Sequence, residues 1–148
     1  DPQDENTFLR AKLNHELRRE GRFRTLWEFY RELIRLRGLL VPLARLSKEH
    51  CEVTGFDHER ILVLRRWSEG EQAVTLFNFN HSQVSIPPSI PSGHWHKAID
   101  STDPRWQGIG STLPSELDVN ERIMVTLQPT SLALFVSGVV EAKTLGRN

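Results

Sequence analysis

Apolar residues return every three or four positions from Phe23 through Leu26, Trp27, Tyr30 and Leu33 to Ile34. That spacing predicts one amphipathic helix over about residues 23–37, with the apolar stripe on a single face. Arg24, Glu28, Arg31, Glu32 and Arg35 fall on the other face, where Arg24 and Glu28 sit one turn apart and can pair. Gly38 is the expected terminator, and Pro42 forbids easy continuation. Ahead of this helix the chain is polar. Asn6 or Thr7 is placed to cap a short helix running to Ala11 or Lys12.

The pattern changes near Ser47. Short apolar runs now alternate with turn residues, which predicts strands. Cys51–Thr54 is a weak one, and Arg60–Trp67 and Glu71–Phe79 are strong ones joined as a hairpin through Ser68-Glu69-Gly70. Gln83–Ile86 ends at Pro87-Pro88, and Gly93–Ile99 follows. Asp100–Ser111 reads as a long loop broken by Pro104, Gly108 and Gly110. Arg122–Leu127 and Ser131–Val136 read as a final hairpin across Pro129-Thr130. The tail from Gly138 to Asn148 reads as frayed. In the strong pair, apolar residues occupy both faces: Ile61 and Val63 against Leu62 and Leu64, Val74 and Leu76 against Ala73, Phe77 and Phe79. Such strands are covered on both sides. The fold class predicted is mainly β: an antiparallel sandwich of about eight strands, preceded by one or two α-helices.

Composition narrows the function classes. At 148 residues the chain fits one domain with a sizeable core. Lys plus Arg (19) equals Asp plus Glu (19), so the basic excess of a nucleic-acid binder is missing; neutral ligands such as sugars stay open. No apolar run reaches a membrane span. Cys51 is the single cysteine, which excludes an internal disulfide and a cysteine-cluster metal site and suits a reducing cytoplasm.

The opening residues Asp1-Pro2-Gln3-Asp4-Glu5-Asn6-Thr7-Phe8, with Lys12-Leu13-Asn14 after them, resemble the late catalytic-barrel segment of malto-oligosyltrehalose trehalohydrolases, in the α-amylase superfamily (glycoside hydrolase family 13). Leu26–Arg37 looks like the last barrel helix of that family. Val63-Leu64-Arg65-Arg66-Trp67, Leu76-Phe77-Asn78-Phe79, Trp95 with Asp100-Ser101, and Ser131-Leu132-Ala133-Leu134 resemble landmarks of its carboxyl-terminal β-sandwich, the C domain. Ala11 stands where the family commonly has serine, and His15 where it has tryptophan. The resemblance implies a chain taken from inside a larger enzyme, without its start Met: residues 1–46 are the loop and last helix of the (β/α)8 barrel, 47–137 the C-terminal β-sandwich domain, and 138–148 a tail. It also implies a parent that releases trehalose by retaining hydrolysis, which uses two carboxyl groups about 5–5.5 Å apart. No position here matches those motifs, so the expectation is no catalytic residue, no cofactor and no metal.

Candidate ligand contacts are few. Asp1, Gln3 and Asp4 fall on a loop after a barrel strand, the catalytic side of such barrels, where they would touch sugar; their default role is to fix the loop and cap the next helix. Trp67, Trp95 and Trp106 would make a stacking platform for maltodextrin if exposed, Trp106 above all because its loop holds Gly and Pro; the default for tryptophan is core packing. His94 and His96 share a strand face, but no further ligand pair joins them, and His50, His58 and His81 are scattered, so ordinary surface histidines are expected. Asp100, Asp103, Glu116, Asp118 and Glu121 read as solvated loop acids. Ser131 and Cys51 lack a base partner. The helix stripe either covers the sandwich or faces a partner. The function this points to is a non-catalytic C-terminal domain that braces the catalytic barrel of the same parent chain, in the cytoplasm, with no nucleic-acid or membrane partner. The alternatives are a module binding malto-oligosaccharide and the C domain of another α-amylase relative, such as a glycogen-branching enzyme.

Overall fold

The computed structural model describes residues 4–138. Helix α1 (Glu5–Ala11) is capped two residues before the earlier of the expected caps, Asn6 and Thr7, because the Asp4 carboxylate accepts the Asn6 amide at 2.8 Å. A 3-10 turn (His15–Arg19) leads to α2 (Gly21–Leu39). The Gly38 terminator fails: α2 runs through it, and the Leu40 amide still reaches the Leu36 carbonyl at 2.9 Å. Pro42 then opens the short helix α3 (Val41–Ala44), where its fixed φ suits a first helical turn.

Eight strands follow among the described residues: β1 (Cys51–Phe56), β2 (Ile61–Ser68), β3 (Glu71–Asn78), β4 (Val84–Ile86), β5 (Gly93–Asp100), β6 (Glu116–Val119), β7 (Val125–Leu127) and β8 (Ser131–Ser137). Six form one antiparallel sheet in the order β1-β2-β3-β8-β5-β6, and β4 pairs with β7 as a second, two-stranded sheet. The β2–β3 hairpin closes as the pattern requires. Ser68 pairs with Glu71, and Glu69 (φ 53°) with Gly70 (φ 84°) makes the two-residue turn, whose positive φ values match the twist of a hairpin.

The final hairpin does not form. β7 pairs with β4, while β8 inserts between β3 and β5. The chain turns the corner between sheets at Gln128–Thr130, where the buried Asn78 amide donates to the Leu127 and Gln128 carbonyls at 3.4 and 2.7 Å. Strands that change sheet at a corner are a regular feature of sandwiches. β6 was unforeseen, since its sequence Glu-Leu-Asp-Val is short and mostly polar.

The large sheet is covered on both faces. On one, Val74, Leu76, Trp95 and Phe135 pack against Ile86 and Leu127 of the small sheet. On the other, Ala73, Leu134 and Val136 meet Leu36 and Leu40, with Phe29 and Leu33 half-buried beside them. β5 contributes to both layers because a bulge between Lys97 and Ile99 flips the alternation. Trp95 therefore enters one core and Ile99 the other.

Candidate functional site

The helix supplies the first candidate surface. The side of α2 that meets the sheet carries Phe29, Leu33 and Leu36, so Leu33 alone belongs to the expected stripe. The remaining stripe residues face outward: Leu26 is 53% exposed, Trp27 43% and Ile34 71%, with Phe23 and Tyr30 also exposed. The Arg31 guanidinium lies 5.4 Å from the Trp27 ring centre, and Arg24 pairs with Glu28 at 2.9 Å. The sheet covers one side of this helix, and the apolar residues of the other side are exposed.

Beside it, α2 and the turn Pro104–Trp106 enclose a groove of about 510 Å³ with Phe23, Leu26, Phe29, Trp106 and Gln107 in its wall. The turn is fixed locally. Asp103 accepts the Arg105 amide at 2.9 Å, and a side chain at Gly108 would place its Cβ 2.2 Å from the Thr102 carbonyl oxygen. Trp106 is half-buried: its ring meets Phe29 edge-on at 5.2 Å, and the Arg105 guanidinium covers it at 4.0 Å. Gln107 reaches across to the Thr25 hydroxyl at 3.0 Å.

The other tryptophans make no platform with it. Trp95 is wholly buried and donates its Nε1–H to the Pro91 carbonyl at 3.0 Å. Trp67 is half-buried under the Arg65 guanidinium, 4.7 Å away. Asp4 is exposed and spends its carboxylate on the α1 cap; Asp1 and Gln3 lie outside the described residues, as does the tail beyond Gly138.

Asp100 is not a solvated loop acid. It is buried at the end of β5 and accepts from the Thr102 amide (2.9 Å), the Thr102 hydroxyl (2.6 Å) and the Ser111 hydroxyl, with Lys97 Nζ at 3.5 Å. Burial alone would raise its pKa. The Ser111 and Thr102 bonds and the Lys97 charge outweigh that and hold it below the ordinary carboxylate value. It is an ionised anchor for the loop, the opposite of a general acid kept protonated.

The most concentrated chemistry lies at the β5–β6 edge. His94 pairs with Asp118 and His96 with Glu116 across the two strands, so all these side chains rise from one face. His94 Nδ1 lies 2.6 Å from Asp118, His94 Nε2 3.8 Å from Glu116, and His96 Nδ1 3.4 Å from Glu116. The imidazole rings meet edge-to-face at 4.5 Å. The Asp118 hydrogen bond, helped by the nearby Asp118 and Glu116 charges, raises the His94 pKa. Glu116 and Asp118, expected in a loop, are strand residues here.

No family model matches the chain. A malto-oligosyltrehalose trehalohydrolase from Rhizobium sp. (strain M-11) is 40% identical over 86 residues, 58% of this chain and 14% of its own length. One from Mycobacterium tuberculosis is 41% identical over 66 residues, 45% of this chain and 11% of its own. Over these stretches the chain is similar to malto-oligosyltrehalose trehalohydrolases. It spans only a small part of the length of the relatives it matches.

Solved structures share its fold. A Salmonella typhimurium protein described as an alpha amylase superposes with TM-score 0.64 at 18% identity, over 93% of this chain and 20% of the other. The trehalulose synthase MutB from Pseudomonas mesoacidophila does so with TM-score 0.53 at 19% identity, over 85% of this chain and 21% of the other. What the likeness shows is the architecture, an antiparallel β-sandwich with helices ahead of it.

Sequence reasoning saw that His94 and His96 share a face and missed what faces them. The signal available was the alternation Glu116-Leu117-Asp118-Val119, polar out and apolar in. Ser131 donates its hydroxyl to the Gln128 carbonyl at 2.6 Å and fixes the corner before β8. Cys51 is half-buried at the start of β1. His81 and His58 stand exposed, and His50 lies 5.9 Å from the Trp67 ring. Among the described residues, no helix is long and apolar enough to cross a membrane.

Proposed function

We propose that this chain is a non-catalytic C-terminal portion of a trehalose-releasing glycoside hydrolase, and that its job is to brace the catalytic barrel. The observation that carries this reading is the half-covered helix. One side of α2 seals the sandwich, and the other side presents Leu26, Trp27, Tyr30 and Ile34 to solvent. An apolar face left bare on a stable domain marks an interaction surface. The barrel of the same chain is the partner that the relatives' length makes available. Burying that face stabilises through removed apolar area, roughly 25 cal/mol per Å² before entropic costs. The parent's substrate would be malto-oligosyltrehalose, and the compartment the cytoplasm.

A second reading, weak retention of malto-oligosaccharide, has the groove beside Trp106 in its favour, with Gln107 and Arg22 near its apolar wall. Against it stand the burial of Trp95 and the Arg105 cover on Trp106. Amide NMR during titration with maltoheptaose separates the two. The brace predicts a dispersed spectrum without ligand shifts up to millimolar sugar. Shifts clustered on Thr25, Trp106 and Gln107 would replace it with the binding module.

A further inference from the structure

We infer that the β5–β6 edge is a zinc-class metal site, with His94, His96 and Glu116 as ligands and Asp118 as the residue that orients His94. Three features carry the inference. One donor atom from each of the three residues lies within 4.8 Å of the other two. Tetrahedral zinc, with Zn–N bonds of about 2.0–2.1 Å, wants donor pairs about 3.4 Å apart. His96 Nδ1 already stands 3.4 Å from Glu116 Oε1 and His94 Nε2 3.8 Å from Glu116 Oε2, so the two rings face the two oxygens of one carboxylate, and rotations of these part-exposed side chains bring the donors to a common ion.

The second feature is the tautomer. A carboxylate facing imidazole Nδ1 at 2.6 Å accepts a hydrogen bond from Nδ1–H, so in the neutral ring the lone pair lies on Nε2. That lone pair is on the atom turned toward Glu116. Metal-binding histidines commonly donate their second N–H to a carboxylate, which fixes the ring and raises its basicity, and Asp118 stands in that place. The third feature is the donor set. Two imidazoles and one carboxylate suit zinc, cobalt, nickel or copper, and poorly suit magnesium or calcium, which prefer all-oxygen shells. Three protein ligands leave a fourth position for water.

The location gives the ion a role. β6 is a four-residue strand at the sheet edge that, among the described residues, pairs with β5 alone. A metal bridging His94 and His96 of one strand to Glu116 of the other would pin that edge, and any ligand bound to the folded state alone raises its stability.

The test is calorimetric titration of the tag-free 148-residue chain with zinc sulfate at neutral pH, alongside thermal unfolding with and without zinc. One zinc per chain is expected, with a higher Tm in its presence. His96→Ala and Glu116→Gln are expected to abolish both signals, and Asp118→Asn to weaken affinity roughly 10–100-fold. His81→Ala, at an exposed histidine elsewhere, is expected to change neither. No heat and no Tm rise in the unaltered chain overturns the inference, and so does zinc binding that survives His96→Ala and Glu116→Gln.

Discussion

The two layers that cover the large sheet differ in how finished they are. The β4–β7 layer closes its core completely, with Trp95, Phe135, Leu76 and Val74 reduced to no measurable exposure. The α2 layer buries Leu36 and Leu40 equally well, yet leaves Leu26, Trp27 and Ile34 of the same helix bare. Both layers use apolar side chains on regular elements, and only one uses all of them. The sandwich is therefore complete in itself. The helix is used on one side only: that side packs on this domain, and the other stays exposed.

Substitutions in the two layers should separate on this basis. Trp95→Ala empties a wholly enclosed site and loses the bond to the Pro91 carbonyl; urea unfolding should read a loss of about 3–5 kcal/mol. Leu36→Ala also opens a cavity, but beside a helix whose other flank is free to adjust, so about 2–3 kcal/mol is expected from the same measurement. Equal losses at the two positions would erase the distinction between the layers.

Asp100 joins β5 to the loop beneath α2, and it tests the same boundary electrostatically. Asp100→Asn should cost about 1.5–3 kcal/mol at neutral pH, the scale of hydrogen bonds to a charged acceptor. Its folded pKa lies below the ordinary value near 3.8. The stabilisation is thus fully present above that value, and is lost as pH falls through the lower, folded one. Unfolding curves of the two chains, measured from pH 7 downward, should converge below about pH 4. A gap that stays constant across that window would mean the carboxylate charge contributes nothing.

The smallest effect belongs to the bare face. Leu26→Ser and Ile34→Ser should alter the stability of the isolated chain by less than about 0.5 kcal/mol, as exposed positions do. A loss on the scale of Leu36→Ala would show that these side chains already have a partner within the domain.

What the sequence made legible follows from period and turn chemistry. The β2–β3 hairpin was readable because Glu69-Gly70 marks a two-residue turn between alternating runs. The covering of both sheet faces was readable from strands apolar on both sides. Three features were not. Gly38 fits inside a helix with open space around it, so its turn-forming tendency lost to the continuing ladder. Val125–Leu127 and Ser131–Ser137 are adjacent in sequence and pair with strands of different sheets, because Asn78 fixes the corner between them. The division of α2 into two apolar sides was hidden as well: Phe29 and Leu36 lie outside the most regular stripe. The same limit applied at the β5–β6 edge, where long-range register joins His94 and His96 to carboxylates about twenty residues away.

The most direct test of the central claim is thermal unfolding of a Leu26→Ser/Ile34→Ser double variant in two settings. One is the 148-residue chain, and the other is the full hydrolase proposed to contain it. The account predicts an unchanged Tm in the chain and a fall of several degrees in the full protein, where the face would be buried against the barrel. An unchanged Tm in both would contradict the docking face, and with it the brace.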